Sequence, residues 1–245
     1  MTRDEKALLL GFVLGDGHLR QVTKFTADLR FYHSIEQLEY LEFKVALLAR
    51  ALGCEPPKIY HRARKDGHVR VEANKCTRFF GILRRALYRN GVKTLTLSIL
   101  KRLTDEAVAI WWMDDASVRV RLNPKTGAQK TREAWLWTYC TEADAIACQR
   151  FFEYKYGIIP KLAPRRKKNE PNVWFYSLRF NTKDLSILIP RIRPYACKSM
   201  LYKFFDVVHS AEPLVETKGE DIVQSVAKPT VLRRPKKSND CMVLL

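Results

Sequence analysis

The chain has 245 residues, enough for one sizeable core or two small ones, and its 47% hydrophobic and 29% charged residues make a globular composition. Lys and Arg number 44 against 26 Asp and Glu, a formal net charge of +18, which points to a polyanionic partner, nucleic acid ahead of an anionic membrane surface. No apolar run approaches the roughly 20 residues that span a bilayer, and Met1-Thr2-Arg3-Asp4-Glu5-Lys6 leads into a stretch broken by Asp16 that does not read as a signal peptide, so an intracellular protein acting where it is made is expected.

A short apolar helix comes first, Leu9-Leu10-Gly11-Phe12-Val13-Leu14-Gly15-Asp16-Gly17. Residues 18–34 follow as a hairpin carrying Arg20, Lys24 and Arg30, and Ser34-Ile35-Glu36-Gln37 has the form of a capping box opening a helix to residue 52, with Leu38, Leu41, Val45 and Leu48 at helical spacing. A second hairpin spans 58–75, with Arg62 and Arg64 before an Asp66-Gly67 turn and Arg70 after it. A helix over 77–89 carries Phe79, Phe80, Leu83 and Leu87 and stops at Asn90-Gly91. After a linker at 96–103, Thr104-Asp105-Glu106 opens a second apolar helix, Val108-Ala109-Ile110-Trp111-Trp112-Met113-Asp114-Asp115-Ala116. The third hairpin, 117–137, carries Arg119, Arg121, Lys130 and Arg132, and the fourth, 161–181, carries Arg165, Arg166, Lys167 and Arg179. Between them Thr141 caps a helix to Tyr156-Gly157, and after them Thr182 starts one that ends near Pro190.

The six cysteines form no Cys-x-x-Cys pair and do not cluster with the five histidines, so reduced thiols rather than zinc are expected. From Asp206 onward six acidic and six basic residues balance, which leaves the whole excess charge to residues 1–205 and makes 206–245 read as a flexible extension. Its Arg233-Arg234-Pro235-Lys236-Lys237 tract is either a localisation or DNA-touching element or simply solvated.

The order helix, ribbon, helix, ribbon, helix runs twice, from Asp4 to about Asn90 and from Thr104 to about Phe205, giving an N-terminal half over 1–95 and a C-terminal half over 96–205. Each half opens with an apolar helix that ends in a carboxylate, Asp16 or Asp115, where the helix dipole is already negative. Either each is a C-cap bonded to backbone, or a cation compensates both. If the two helices pack about a pseudo-twofold axis, helped by Gly11 and Gly15, both acids and the nearby carbonyls make a hard-oxygen site suited to Mg²⁺. The Asp114 side chain is open between such a role and a local structural bond, and His18 is read as a satisfied or DNA-facing residue. Strand alternation lets each ribbon bury one face and present Arg and Lys on the other.

On these duplicated motifs and basic ribbons, the chain resembles a LAGLIDADG homing endonuclease of the two-motif, monomeric type over residues 5–205. His33-Ser34, Asn90-Gly91-Val92-Lys93-Thr94, Trp111-Trp112-Met113-Asp114-Asp115 and Ser199-Met200-Leu201-Tyr202-Lys203 resemble the branch that includes the yeast mitochondrial omega-intron nuclease. The resemblance implies an α+β fold of two pseudo-twofold-related αββαββα halves, with motif helices at the central interface and an antiparallel β-saddle over the DNA major groove. It implies Mg²⁺ (or Mn²⁺) held by Asp16, Asp115 and the backbone carbonyls of Gly15 and Asp114, with Lys93 and Lys203 on the active-site water or scissile phosphates. The substrate implied is double-stranded DNA with a long, asymmetric target, cut to start intron or intein-like mobility. The alternatives are an RNA maturase acting on its host intron and a non-cleaving DNA-binding regulator. Ala116 stands where the motif usually has Gly; a left-handed backbone there would cost roughly 1 kcal/mol. Ile110 and Leu10 are bulkier than the motif's small residues. Neutralising about 10 phosphates would give a salt slope near −9.

Overall fold

The computed structural model describes residues 1–122, 125–126, 129–167 and 170–205. Thr2 starts α1 (Arg3–Leu14): its hydroxyl accepts from the Glu5 N–H while the Glu5 carboxylate accepts from the Thr2 N–H. Then come β1 (His18–Gln21), β2 (Ala27–Ser34), α2 (Leu38–Leu52), β3 (Ile59–Ala63), β4 (Val69–Thr77) and α3 (Arg78–Leu87). A two-residue-per-strand hairpin, β5 (Tyr88–Arg89) and β6 (Val92–Lys93), and a short α4 (Leu97–Leu100) lead to the second half. That half repeats the plan with α5 (Asp105–Asp115), β7 (Ala116–Leu122), β8 (Gln129–Cys140), α6 (Glu142–Tyr156), β9 (Lys161–Lys167), β10 (Glu170–Phe180) and α7 (Thr182–Ile192). It finishes in two 3₁₀ turns, Arg193–Tyr195 and Lys198–Phe204.

The sheets run β1-β2-β4-β3 and β7-β8-β10-β9, all pairs antiparallel, so the same permutation occurs twice. α1 and α5 pack on each other and are buried nearly all round, from Ala7 to Leu14 and from Ala107 to Met113. Leu19, Ala27, Leu29, Phe31, Val71 and Ala73 seal one sheet face against this core, and Ala134, Leu136, Leu178 and Phe180 seal the other. The described residues belong to one compact unit, with Leu100 and Leu103 of the connecting segment buried in its core. The extension over 206–245 lies outside the described residues.

Several local expectations are corrected. Ser34 makes no side-chain cap; it precedes a 3₁₀ turn at Ile35–Gln37, and the Gln37 amide that a capping box would use accepts instead from His33 Nδ1 at 3.3 Å. α3 ends at Leu87 rather than at Asn90-Gly91, because those two residues, at φ 51° and 79°, form the tight turn of the β5–β6 hairpin. α7 does start at Thr182, with Asn181 as its cap accepting from the Lys183 and Asp184 N–H groups, but the helix carries Pro190 inside and runs on to Ile192, whose side chain is buried. Ala116 sits at φ −80°, ψ 141°, ordinary extended backbone, so the strain expected at this position is absent.

Candidate metal centre and nucleic-acid interface

The C-terminal ends of α1 and α5 meet at the middle of the molecule. Asp16 follows α1, its side chain 43% exposed, with His33 Nδ1 4.0 Å from its Oδ2. Burial first, and then the neighbouring Asp114 charge, raise its pKa. Asp115 ends α5, where Trp111 donates its indole N–H to Oδ2 at 3.1 Å. Burial, then repulsion from Asp114 and Asp16, push its carboxyl up to about 8. Asp115 therefore lies within the field of Asp16, and its carboxylate is held by a side chain rather than by a backbone cap.

The lysines of the two halves act as a matched pair. β6 aims Lys93 at the end of α1, where Nζ donates to Val13 O at 2.7 Å and Leu14 O at 3.3 Å. Lys203, in the last 3₁₀ turn, donates to Met113 O and, at 3.1 Å, to Asp114 O at the end of α5. Each ammonium thus neutralises the negative end of its own motif helix. Burial lowers both lysine pKa values, while the attraction of Asp16, Asp114 and Asp115 opposes the shift. The resemblance implied contacts to water or phosphate; the structure puts both ammonium groups on helix-terminal carbonyls. The Asp114 carbonyl, implied as a metal ligand, receives Lys203. Beside Asp115 a cleft of about 300 Å³ is lined by Gly15, Lys93, Trp111, Asp115 and Tyr139.

The Asp114 side chain resolves to a structural bond of unusual depth. It is fully buried, as is Lys44 of α2, whose Nζ lies 2.8 Å from Oδ1 and 2.9 Å from Oδ2. Tyr40 donates to Oδ1 at 2.7 Å and the Asp16 backbone N–H to Oδ2 at 3.0 Å. Every acceptor direction of this carboxylate is used, so the buried pair avoids an uncompensated charge. Gly15 has no side chain because a Cβ there would run into the Asp114 carboxylate. Lys44 and Tyr40 were missed in the sequence, where His33 and Trp111 carried the resemblance without a role of their own, yet Lys44 leaves a trace: it sits three residues after Leu41 and four before Leu48, on the apolar stripe of α2.

The donor set fits a hard divalent cation. Asp16 and Asp115 bring two carboxylates, hard oxygen donors, at the ends of the two packed motif helices, and the ammonium groups of Lys93 and Lys203 beside them are engaged by backbone carbonyls. Among the described residues Asp16, His33 and Asp114 form a group of metal-capable side chains, with one ligand atom of each within 4.8 Å of the others. Lys44 already fills the cation position at Asp114.

Sheet parity sorts the expected DNA contacts. Arg20, Arg30, Arg62 and Arg70 share the face opposite the core residues Leu29, Phe31, Val71 and Ala73. Arg119, Arg121, Arg165 and Arg179 share the corresponding face of the second sheet. Acids within these faces hold the guanidinium groups: Asp28 with Arg30 at 2.8 Å, Glu72 with Arg62 and Arg70 at 2.9 Å each, and Glu133 with Arg179 at 2.6 Å. Lys24 and Arg64 lie in loops just beyond β1 and β3. Two expected contacts belong to the other face. Arg132 has the parity of Ala134 and Leu136, with its guanidinium 5.4 Å from the Phe205 ring centroid. Arg166 pairs with Trp174 on the parity of Leu178. The side chains of Lys130 and Lys167 lie outside the described residues.

Residues 6–188 match the LAGLIDADG DNA endonuclease family. The chain belongs to that family. It is 27% identical over 203 residues to Protein RecA of Mycobacterium shimoidei, covering 80% of this chain but 45% of that one. The chain thus spans about half the length of the mycobacterial relatives it matches. It is also 28% identical over 214 residues to cytochrome b mRNA maturase bI2 of Debaryomyces hansenii, covering 83% and 74%. Among solved structures, the homing endonuclease I-WcaI bound to its DNA recognition sequence superposes with a TM-score of 0.61 at 18% identity, over 83% of this chain and 86% of that one. The LAGLIDADG endonuclease fold, with two pseudo-symmetric halves, is therefore the fold of this chain.

Proposed function

We propose that the protein is a site-specific, divalent-metal-dependent double-strand DNA endonuclease that initiates mobility of its own coding element, acting as a monomer on a long, asymmetric target. The observation that carries this reading is the convergence of Asp16 and Asp115, one from each motif helix, beneath two sheets whose open faces carry arginines. Bound Mg²⁺ or Mn²⁺ would supply Lewis-acid polarisation of the phosphate and a lowered pKa for attacking water. Asp16 and Asp115 would hold the cation. Lys93 and Lys203 keep the helix ends neutral so that two further negative charges are tolerated there. The arginine faces neutralise phosphates, while Arg30, Arg62, Arg70 and Asn74 present donors suited to base edges in a major groove.

The similarity to an mRNA maturase over most of both chains supports a second reading, assistance to splicing by the same basic scaffold. A plasmid carrying the uninterrupted host sequence separates them. Mg²⁺-dependent linearisation that Asp16→Asn and Asp115→Asn each abolish supports the nuclease. Splicing rescue that survives both substitutions, without cleavage, supports the maturase.

A further inference from the structure

Lys44 is coordinated as a metal ion would be. Its ammonium has three protons and three partners: Asp114 Oδ1 at 2.8 Å, Asp114 Oδ2 at 2.9 Å and His33 Nε2 at 3.3 Å. A carboxylate gripped through both oxygens, together with an imidazole nitrogen, is a transition-metal donor set. Because Nε2 accepts from Lys44, Nδ1 carries the ring proton and donates to Gln37, so the lone pair of a neutral imidazole faces the buried cation. The Phe31 and Tyr40 rings, 4.6 and 5.0 Å from Nζ, close the remaining sides. The second carboxylate within reach is Asp16 itself, whose Oδ2 lies 4.0 Å from His33 Nδ1 and whose backbone N–H is bonded to Asp114.

Among the described residues this arrangement exists once. α2 and α6 both end at left-handed glycines, Gly53 and Gly157, and counting back nine residues from each reaches Lys44 in the first half and the buried, uncharged Cys148 in the second. The partner acid is single too, since Gly15 and Asp114 each precede a motif acid and only Asp114 carries a side chain.

We propose that Lys44 is a built-in counter-cation that occupies the innermost cation position between the two halves, keeps divalent metal off the Asp114 carboxylate and thereby confines metal to Asp16 and Asp115. Lys44 is a positioning residue: through Asp114 it fixes the backbone N–H of Asp16, and it reserves the Asp16 carboxylate for the outer position. Removing the ammonium while keeping the volume, as in Lys44→Met, leaves the Asp114 carboxylate and one imidazole nitrogen facing a vacated cation position. The chain then acquires a transition-metal site that the unaltered protein lacks.

Co²⁺ is the probe, because its visible absorption reports nitrogen ligation and geometry without any DNA or turnover. Its outcome is therefore independent of whether the protein is a nuclease. Titration of the full chain is expected to show Lys44→Met binding one more Co²⁺ than the unaltered protein, with a visible band that disappears when His33→Gln is added. The charge-balanced double variant Lys44→Met/Asp114→Asn is expected to fold and gain no site. If Lys44→Met is unfolded without metal, Co²⁺ restores its helical circular dichroism. The proposal is overturned by equal Co²⁺ stoichiometry in Lys44→Met and the unaltered chain, or by an extra Co²⁺ in the charge-balanced double variant. A His33-dependent band in the unaltered protein, or a Lys44→Met chain that saturating Co²⁺ fails to fold, overturns it equally.

Discussion

Gly11→Ala tests the idea that the motif helices meet backbone to backbone. A Cβ at Gly11 would lie 2.5 Å from Ala107 O and 2.9 Å from Ala107 Cα, against an ordinary contact that begins near 3.4 Å. Both atoms are main chain in the first turn of α5, so no side chain can swing aside; the helices must part by about 0.9 Å, the difference between 3.4 and 2.5 Å. Forcing such a shift in a packed core costs typically 1–3 kcal/mol, and with main chain on both sides the upper part of that range, about 2–3 kcal/mol, applies. The substitution also gains about 1 kcal/mol of helix propensity. Packing wins, with a net loss of about 1–2 kcal/mol, which for a chain of this size lowers Tm by roughly 3–8 °C. Differential scanning calorimetry at fixed scan rate measures it. A Tm unchanged or raised would refute the close approach, because propensity alone favours alanine. Separation also moves Asp16 away from Asp115, so cleavage is expected to fall more than stability does.

Further outcomes follow from the same geometry. Lys93→Met and Lys203→Met each leave helix-terminal carbonyls without their cationic donor, and each should lower the urea midpoint by the equivalent of about 1–2 kcal/mol; a matched loss in both checks the duplication. Burial and the Lys44 charge hold the His33 pKa at about 4, below the usual 6.5. The unfolded chain thus takes up a proton below pH 6.5 that the folded chain refuses until about pH 4, so stability is full above pH 6.5 and falls as pH drops through that window. The loss approaches about 3 kcal/mol; urea unfolding from pH 7 to pH 4 measures it, and His33→Gln should flatten the profile. If the eight arginines on the open sheet faces each neutralise one phosphate, the slope of log affinity against log salt is about −7 rather than −9. Arg62→Ala should reduce its magnitude by about one unit, whereas Arg132→Ala, on the other face, should leave it unchanged.

What the sequence made legible was what repeats or alternates. The motif helices and the four ribbons follow from local periodicity and from a period of one half-chain. Asn90-Gly91 misled because the pair is both a helix stop and a tight-turn signal, and only the strand partners Tyr88 and Lys93 decide between them. Arg132 and Arg166 look like their neighbours by composition; their faces depend on register, which alternation fixes only once the partner strand is known. The Lys44–Asp114 pair joins residues 70 positions apart in different halves, and nothing local in either segment records its partner.

The account stands most directly on strand-resolved cleavage of the uninterrupted host sequence, each strand labelled separately, in Mg²⁺. The unaltered protein should cut both strands. Asp16→Asn and Asp115→Asn should each slow cleavage of at least one strand by about 100-fold or more, the scale expected on losing a direct metal ligand. Cutting of both strands at the unaltered rate by either variant would contradict a centre built from both motif acids.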